Sequence, residues 1–98
     1  MTLTEKQKKH LRRLAHPLRP VVILGNAGLT DGVVNELERA LTDHELVKVS
    51  ARMGERTARN TALEKLADRT SSALVQQVGN VGVYYRERKH LPRILLPD

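Results

Sequence analysis

Gly25-Asn26-Ala27-Gly28 is the stretch of this 98-residue chain whose residue types and spacing could do chemistry. It follows Val21-Val22-Ile23-Leu24, an apolar and mostly β-branched run, and leads through Leu29 to Thr30 and Asp31. The pattern reads as a strand, a tight turn and a helix N-terminus. Glycine lacks a Cβ, so a loop with one at each end can take left-handed angles or let another backbone come close. The first turn of a helix carries unpaired N–H groups and partial positive charge. Together these features can hold a phosphate without a charged side chain. The candidate chemistry is anion binding through backbone amides.

Other chemistries find less support. The glycine spacing is neither the G-x-G-x-x-G of a dinucleotide fold nor a P-loop, since no Gly-Lys-Ser/Thr follows. What remains is the G-x-x-G loop of KH-type RNA binders, which clamps the backbone of single-stranded RNA. A plain strand-to-helix turn would use the same glycines, so the motif alone leaves both readings open. There is no Cys, and His10, His16, His44 and His90 lack metal-ligand spacing. Glu36 and Glu38 fall on opposite sides of a helix and cannot pair as acid and base. None of Ser50, Ser71 and Ser72 sits in a nucleophile elbow. No catalytic residue, metal or cofactor is expected, and the chain is read as a non-enzyme without a small-molecule substrate.

The elements that position the loop can be read in order. Thr4 and Gln7 form a capping box for a helix ending near Ala15, with Leu11, Leu14 and Ala15 on its apolar face and Leu3 beneath. His16-Pro17-Leu18-Arg19-Pro20 stops it. Val21 to Leu24, without polar alternation, suits a central strand covered on both faces. Thr30 caps a second helix that ends around Asp43-His44, with Val33, Val34, Leu37, Ala40 and Leu41 inward. Leu46 to Ala51 alternates like a half-buried strand. Glu55 to Thr70 is a third helix, with Ala58, Ala62, Leu63, Leu66 and Ala67 inward. Ala73 to Val78 and Val81 to Arg86 form a hairpin across Gly79-Asn80, where Gly82 marks a bulge or a close approach. Of the adjacent Tyr84 and Tyr85, alternation puts one in the core and one outside. Ile94-Leu95-Leu96 adds an edge strand or covers the core.

The expectation is a single α/β domain over residues 1–98, of order α-β-α-β-α-β-β, with a mixed four-stranded sheet. Two right-handed crossovers make the first three strands parallel.

Charge adds a partner. The chain carries +6, spread as +5 over residues 1–20, −3 over 21–51 and +4 over 52–98. Lys6, Lys9, Arg12, Arg13 and Arg19 crowd the first segment, and Arg86, Arg88 and Lys89 follow the last strand. So dense a basic helix, with Glu5 as its only acidic neighbour, points to nucleic acid. With two aromatic residues the chain would grip backbone and shape rather than stack on bases. Double-stranded DNA fits less well, since no helix lines up base-reading Asn, Gln and Arg. A basic module docking an acidic protein is the alternative. The first residues lack the apolar core of a signal peptide, and no apolar run is long enough to span a membrane. A cytoplasmic location is expected.

The chain resembles the CRM domain family (chloroplast RNA splicing and ribosome maturation) in its stand-alone bacterial, YhbY-type form. The resemblance rests on Leu11-Arg12-Arg13-Leu14-Ala15-His16-Pro17-Leu18-Arg19-Pro20, on Val22 to Leu24, and on Gly25-Asn26-Ala27-Gly28-Leu29-Thr30. His44-Glu45-Leu46-Val47-Lys48-Val49 and Val83-Tyr84-Tyr85-Arg86 add to it. It implies a KH-like fold related to the C-terminal domain of bacterial translation initiation factor 3. It also implies binding to ribosomal RNA in precursors of the large (50S) subunit, with Gly25, Asn26, Ala27 and Gly28 as the RNA-binding loop. The family often has a basic or second polar residue at the loop centre, where this chain has Ala27.

Overall fold

The computed structural model describes residues 2–98. Its elements run α1 (Glu5–Ala15), β1 (Val22–Leu24), α2 (Asp31–His44), β2 (Leu46–Ala51), α3 (Arg56–Thr70), β3 (Ala73–Val78) and β4 (Val81–Tyr85). The sheet order is β1-β2-β4-β3. β1 and β2 are parallel, and β4 is antiparallel to both β2 and β3. The first three strands therefore share a direction, as expected. The hairpin inserts β4 between β2 and β3.

Local chemistry explains the helix boundaries. The Thr4 hydroxyl accepts from the Gln7 amide, and the Gln7 side chain accepts from the Thr4 amide, completing the capping box. Thr30 caps α2 through the Val33 amide. Glu55 caps α3, its two carboxylate oxygens accepting from the Thr57 and Ala58 amides.

The sheet carries a core on each face. On one face α2 and α3 cover Val22, Leu24, Val47, Val49 and Tyr84. On the other, Leu11 and Ala15 of α1 pack with Leu46, Val75, Val83 and Tyr85, joined by Leu3, Ile94 and Leu96. Ile94 and Leu96 thus cover the core rather than add a strand, while Leu95 is exposed. Gly82 is a point of close approach. A Cβ there would lie 2.9 Å from the Tyr84 ring, which is itself held by a bond from its hydroxyl to the Leu63 carbonyl.

Several expectations are corrected. β1 is an edge strand, not a central one, and Val21 and Ile23 are 61% and 47% exposed. Both tyrosines are fully buried, because helices cover one face of the sheet and α1 with the C-terminal segment covers the other. For the same reason β2 is buried on both sides apart from Lys48, rather than half-buried. Leu14 and Ala58 point outward.

The C-terminal segment is tied down by Glu45. This residue follows α2 with φ at +64°, a region non-glycine residues rarely adopt. Its buried carboxylate accepts from the amides of Arg88, Arg93 and Ile94 at 2.7–2.9 Å. Burial by itself would raise its pKa. The three N–H bonds and the charge of Arg88 outweigh burial and hold it below the usual 4.5. A depressed carboxylate pKa stabilises the fold fully above the unfolded value and loses that contribution as pH falls through the folded one. Glu45→Gln should therefore lower stability at pH 7 by about 2 kcal/mol. In denaturation curves taken from pH 7 downward, the gap to the parent chain should narrow below pH 4.5, the usual value.

Candidate nucleic-acid interface

The Gly25–Gly28 turn lies at the carboxyl end of β1. It is closed by a bond from the Gly28 amide to the Gly25 carbonyl at 2.9 Å. Gly28 holds φ at +77°, while Gly25 does not take a left-handed angle. Open space surrounds the site of a Gly28 Cβ, with the Met53 methyl 4.0 Å away. Glycine is required there by the backbone angle rather than by crowding.

Among the described residues, the amides of Asn26, Ala27, Leu29 and Gly32 have no acceptor within the protein. They lie on the turn and on the first turn of α2. Asn26 and Ala27 are exposed. Asp31, the acidic residue here, is drawn to Arg69 at 3.0 Å.

The neighbouring loop, after β2, is bound alongside. The Arg52 amide donates to the Leu24 carbonyl at 2.7 Å. α3 starts from this loop, so two helices begin at one end of the sheet. Their N-termini differ in occupancy. Glu55 already places a carboxylate on the α3 amides, and its pKa is lowered by the bonds from Ala58 and Thr57. The α2 terminus is capped by the neutral Thr30 hydroxyl, which leaves room for an external anion. Arg52, Arg56 and Arg59 of this loop and of α3's first turn face the same end. The sequence-based site set omits them, although the parallel order of β1 and β2 implies their position.

The other basic residues separate into two groups. Lys6, Lys9, Arg12 and Arg13 lie along α1, with Arg19 exposed in the segment after it. Lys9, Arg12 and Arg13 border a groove between α1 and the sheet. Arg86, Arg88 and Lys89 lie at the opposite end of the sheet, beside the C-termini of α2 and α3. There Arg86 is fully engaged. Its guanidinium donates to the Glu38 carboxylate at 2.8 Å, the Thr70 carbonyl at 2.7 Å, and the Glu38 carbonyl and Thr42 hydroxyl at 3.3 Å. The Arg88 amide is held by Glu45, and Lys89 is exposed.

Among the described residues, no group of three or more His, Asp and Glu side chains is placed to hold a metal ion. No helix there is long and apolar enough to cross a membrane.

The model of the CRS1 / YhbY (CRM) domain family matches residues 3–86. A probable RNA-binding protein of Pseudomonas aeruginosa is 46% identical over 87 residues, spanning 89% of this chain and 84% of that one. An RNA-binding protein of Haemophilus influenzae is 43% identical over 96 residues, spanning 98% of this chain and 96% of its own. The solution structure of a Staphylococcus aureus protein matches with a TM-score of 0.84 at 35% identity, over 98% of this chain and 100% of that one.

Within the far-end group, the engaged and the exposed cation should respond differently to truncation. Arg86→Ala removes the donor to the Thr70 carbonyl and the partner of the Glu38 carboxylate, and should cost about 1–3 kcal/mol of stability. Lys89→Ala should leave the melting temperature within about 2 °C, as surface substitutions do. Thermal melts of the two variants check this.

Proposed function

The chain belongs to the CRS1 / YhbY (CRM) domain family, and we propose that it binds RNA through the turn Gly25, Asn26, Ala27 and Gly28, holding a phosphate on the open amides of Asn26 and Ala27 while the Gly28 amide closes the turn on the Gly25 carbonyl. The observation that carries this reading is the α2 N-terminus. Its amides are open and its cap is neutral, while the adjacent α3 terminus is filled by Glu55. A phosphate there gains several charge-assisted N–H bonds and the field of the helix. Arg52 and Arg56, next to the loop, and Lys6, Lys9, Arg12, Arg13 and Arg19 along the α1 side neutralise further phosphates. Lys89 and Arg88 add attraction at longer range, and Arg86 serves the fold.

The RNA is ribosomal RNA of precursors of the large (50S) subunit, where the protein assists assembly in the cytoplasm without catalysing a reaction. Support for RNA as the partner comes from the RNA-binding names of relatives in three bacteria, and support for this target from the family resemblance. With Asn26 and Ala27 at its tip, the loop holds backbone and has little with which to choose a base.

Gly28→Asp would strain the backbone and place a negative charge at the anion site. It should weaken RNA binding at least about tenfold, or 1.4 kcal/mol, in a filter or anisotropy assay, with the circular dichroism spectrum unchanged. Unchanged affinity would remove the loop from the mechanism. For the parent chain, four to six phosphates of a single strand give a slope of log affinity against log salt of about −3 to −4. A flat response would favour the docking of an acidic protein instead. Cross-linking in cells should recover large-subunit ribosomal RNA, and recovery of messenger RNA alone would contradict the assembly role.

A further inference from the structure

The sheet face that carries α1 is only half covered. α1 and the C-terminal segment lie over Leu46, Tyr85 and Ala73, which are paired across β2, β4 and β3. Toward the Gly25–Gly28 end the edge strands of this face are uncovered, while Val83 and Ser50 on the inner strands stay buried. Ile23, Ser50, Val81 and Val78 are paired across all four strands and share that face. Val78 is 65% exposed and Ile23 47%. Between this floor and α1 runs a groove of about 720 Å³.

Its wall and floor differ in character. Lys9, Arg12, Arg13 and His16 form the wall: Lys9, the Arg12–Arg13 pair and the cap residue His16 succeed one another in steps of about one helical turn, roughly 5.4 Å. The floor is Val78, Val81 and the nearly buried Val83 with Gln76, the one floor residue that carries a side-chain amide, and Lys48, whose ammonium donates to the His16 and Leu18 carbonyls at 3.4 and 3.1 Å. Among the described residues, no carboxylate lines the groove. β1 borders this face, and the phosphate loop begins one residue beyond it at Gly25.

We propose that this half-bare sheet face is a second RNA contact, which takes an unpaired segment continuous with the strand held at the Gly25–Gly28 turn. The proposal rests on the reading that the loop takes an RNA phosphate. Cations stepped along α1 above a largely aliphatic floor match a polymer with repeated anions on one side and flat apolar faces on the other. Unpaired nucleotides have that form. Bases splayed from a single strand can lie on Val78 and Val81 while their phosphates meet the α1 wall, and Gln76 can bond a base edge. A duplex hides its base faces in the stack, presents phosphate, ribose and base edges, and would leave the aliphatic floor uncovered. An acidic peptide would satisfy the wall as well, and the test separates it.

The experiment uses the full chain and labelled RNA of mixed sequence: a four-nucleotide strand, a twelve-nucleotide strand and a twelve-base-pair duplex. Neutral changes on the floor, Gln76→Ala with Val78→Asn, keep the net charge and alter an exposed position. They should lower affinity for the twelve-nucleotide strand about fivefold through lost apolar contact, and leave the four-nucleotide strand unchanged. Gly28→Asp should weaken both. 4-Thiouridine in the longer strand should cross-link to the parent chain within residues 76–83. Parent-like affinity of the floor variant for the longer strand, with no cross-link in 76–83, overturns the second contact and leaves the loop reading standing. Equal binding of the duplex, or displacement of the longer strand by polyglutamate of the same charge, also overturns it. Failure of the parent chain to bind either single strand removes the loop reading and the second contact together.

Discussion

The Glu45 carboxylate has no exposed surface, and a buried ionised group is tolerated only when its oxygens are satisfied. Three backbone amides from the C-terminal segment do this, and the arrangement constrains far more than one residue. Residues 88–94 must fold back over the start of β2. That return lays Ile94 and Leu96 against Leu11, Val83 and Tyr85 and closes the core beneath α1. Gln7 of α1 donates to the Pro97 carbonyl at 3.0 Å, which joins helix and segment. The left-handed backbone at Glu45, of order 1–3 kcal/mol in strain, is offset by these contacts. It lets α2 turn into β2 with Glu45 as the single intervening residue.

From that turn follows the polarity of the molecule. Parallel β1 and β2, each followed by a helix, bring two loops and two helix N-termini to one end. Capping then sets them apart. A carboxylate on the α3 amides supplies the charge that this end of a helix favours, and a hydroxyl on α2 does not. The same fold thus leaves one terminus filled by a carboxylate and the other capped by a neutral hydroxyl. The far end holds the helix C-termini, where Arg86 bonds carbonyls of both helices. Cations belong there for structural reasons, so their presence carries less functional meaning than those beside the loop.

How much of this was legible in the chain depended on the range of the interaction. Helix caps at Thr4 and Thr30 involve partners three residues away, and they were readable. The loop was readable because a strand, two glycines and a cap follow one another directly. Strand order was not, since the run Val21 to Leu24 is equally apolar in a central strand and in an edge strand whose outer side chains stay exposed. Pro20, which lacks a donor, was the available sign of an edge. The burial of both tyrosines needed the second cover that Glu45 organises, 40 residues from Tyr85, and a glutamate between two elements reads as surface. Arg86 looked free because its partners Glu38 and Thr42 lie 48 and 44 residues away.

The open half of the sheet is where stability and surface are in tension. Burying Val21, Ile23 and Val78 would add roughly 1.5–3 kcal/mol per side chain, and a longer α1 or a further helix could do it. The chain instead ends α1 at Ala15 and leads past Pro17 and Pro20 into β1, so Val21, Ile23 and Val78 on the edge strands stay uncovered. Exposed aliphatic edge strands risk pairing with other chains. Two features limit that risk. β1 has three residues, and β3 is interrupted by a register shift between Leu74 and Gln76. The basic wall of α1 adds repulsion between copies. A face kept bare at a cost in stability, guarded against its own kind and bordered by cations, has the physical character of a surface reserved for an anionic partner.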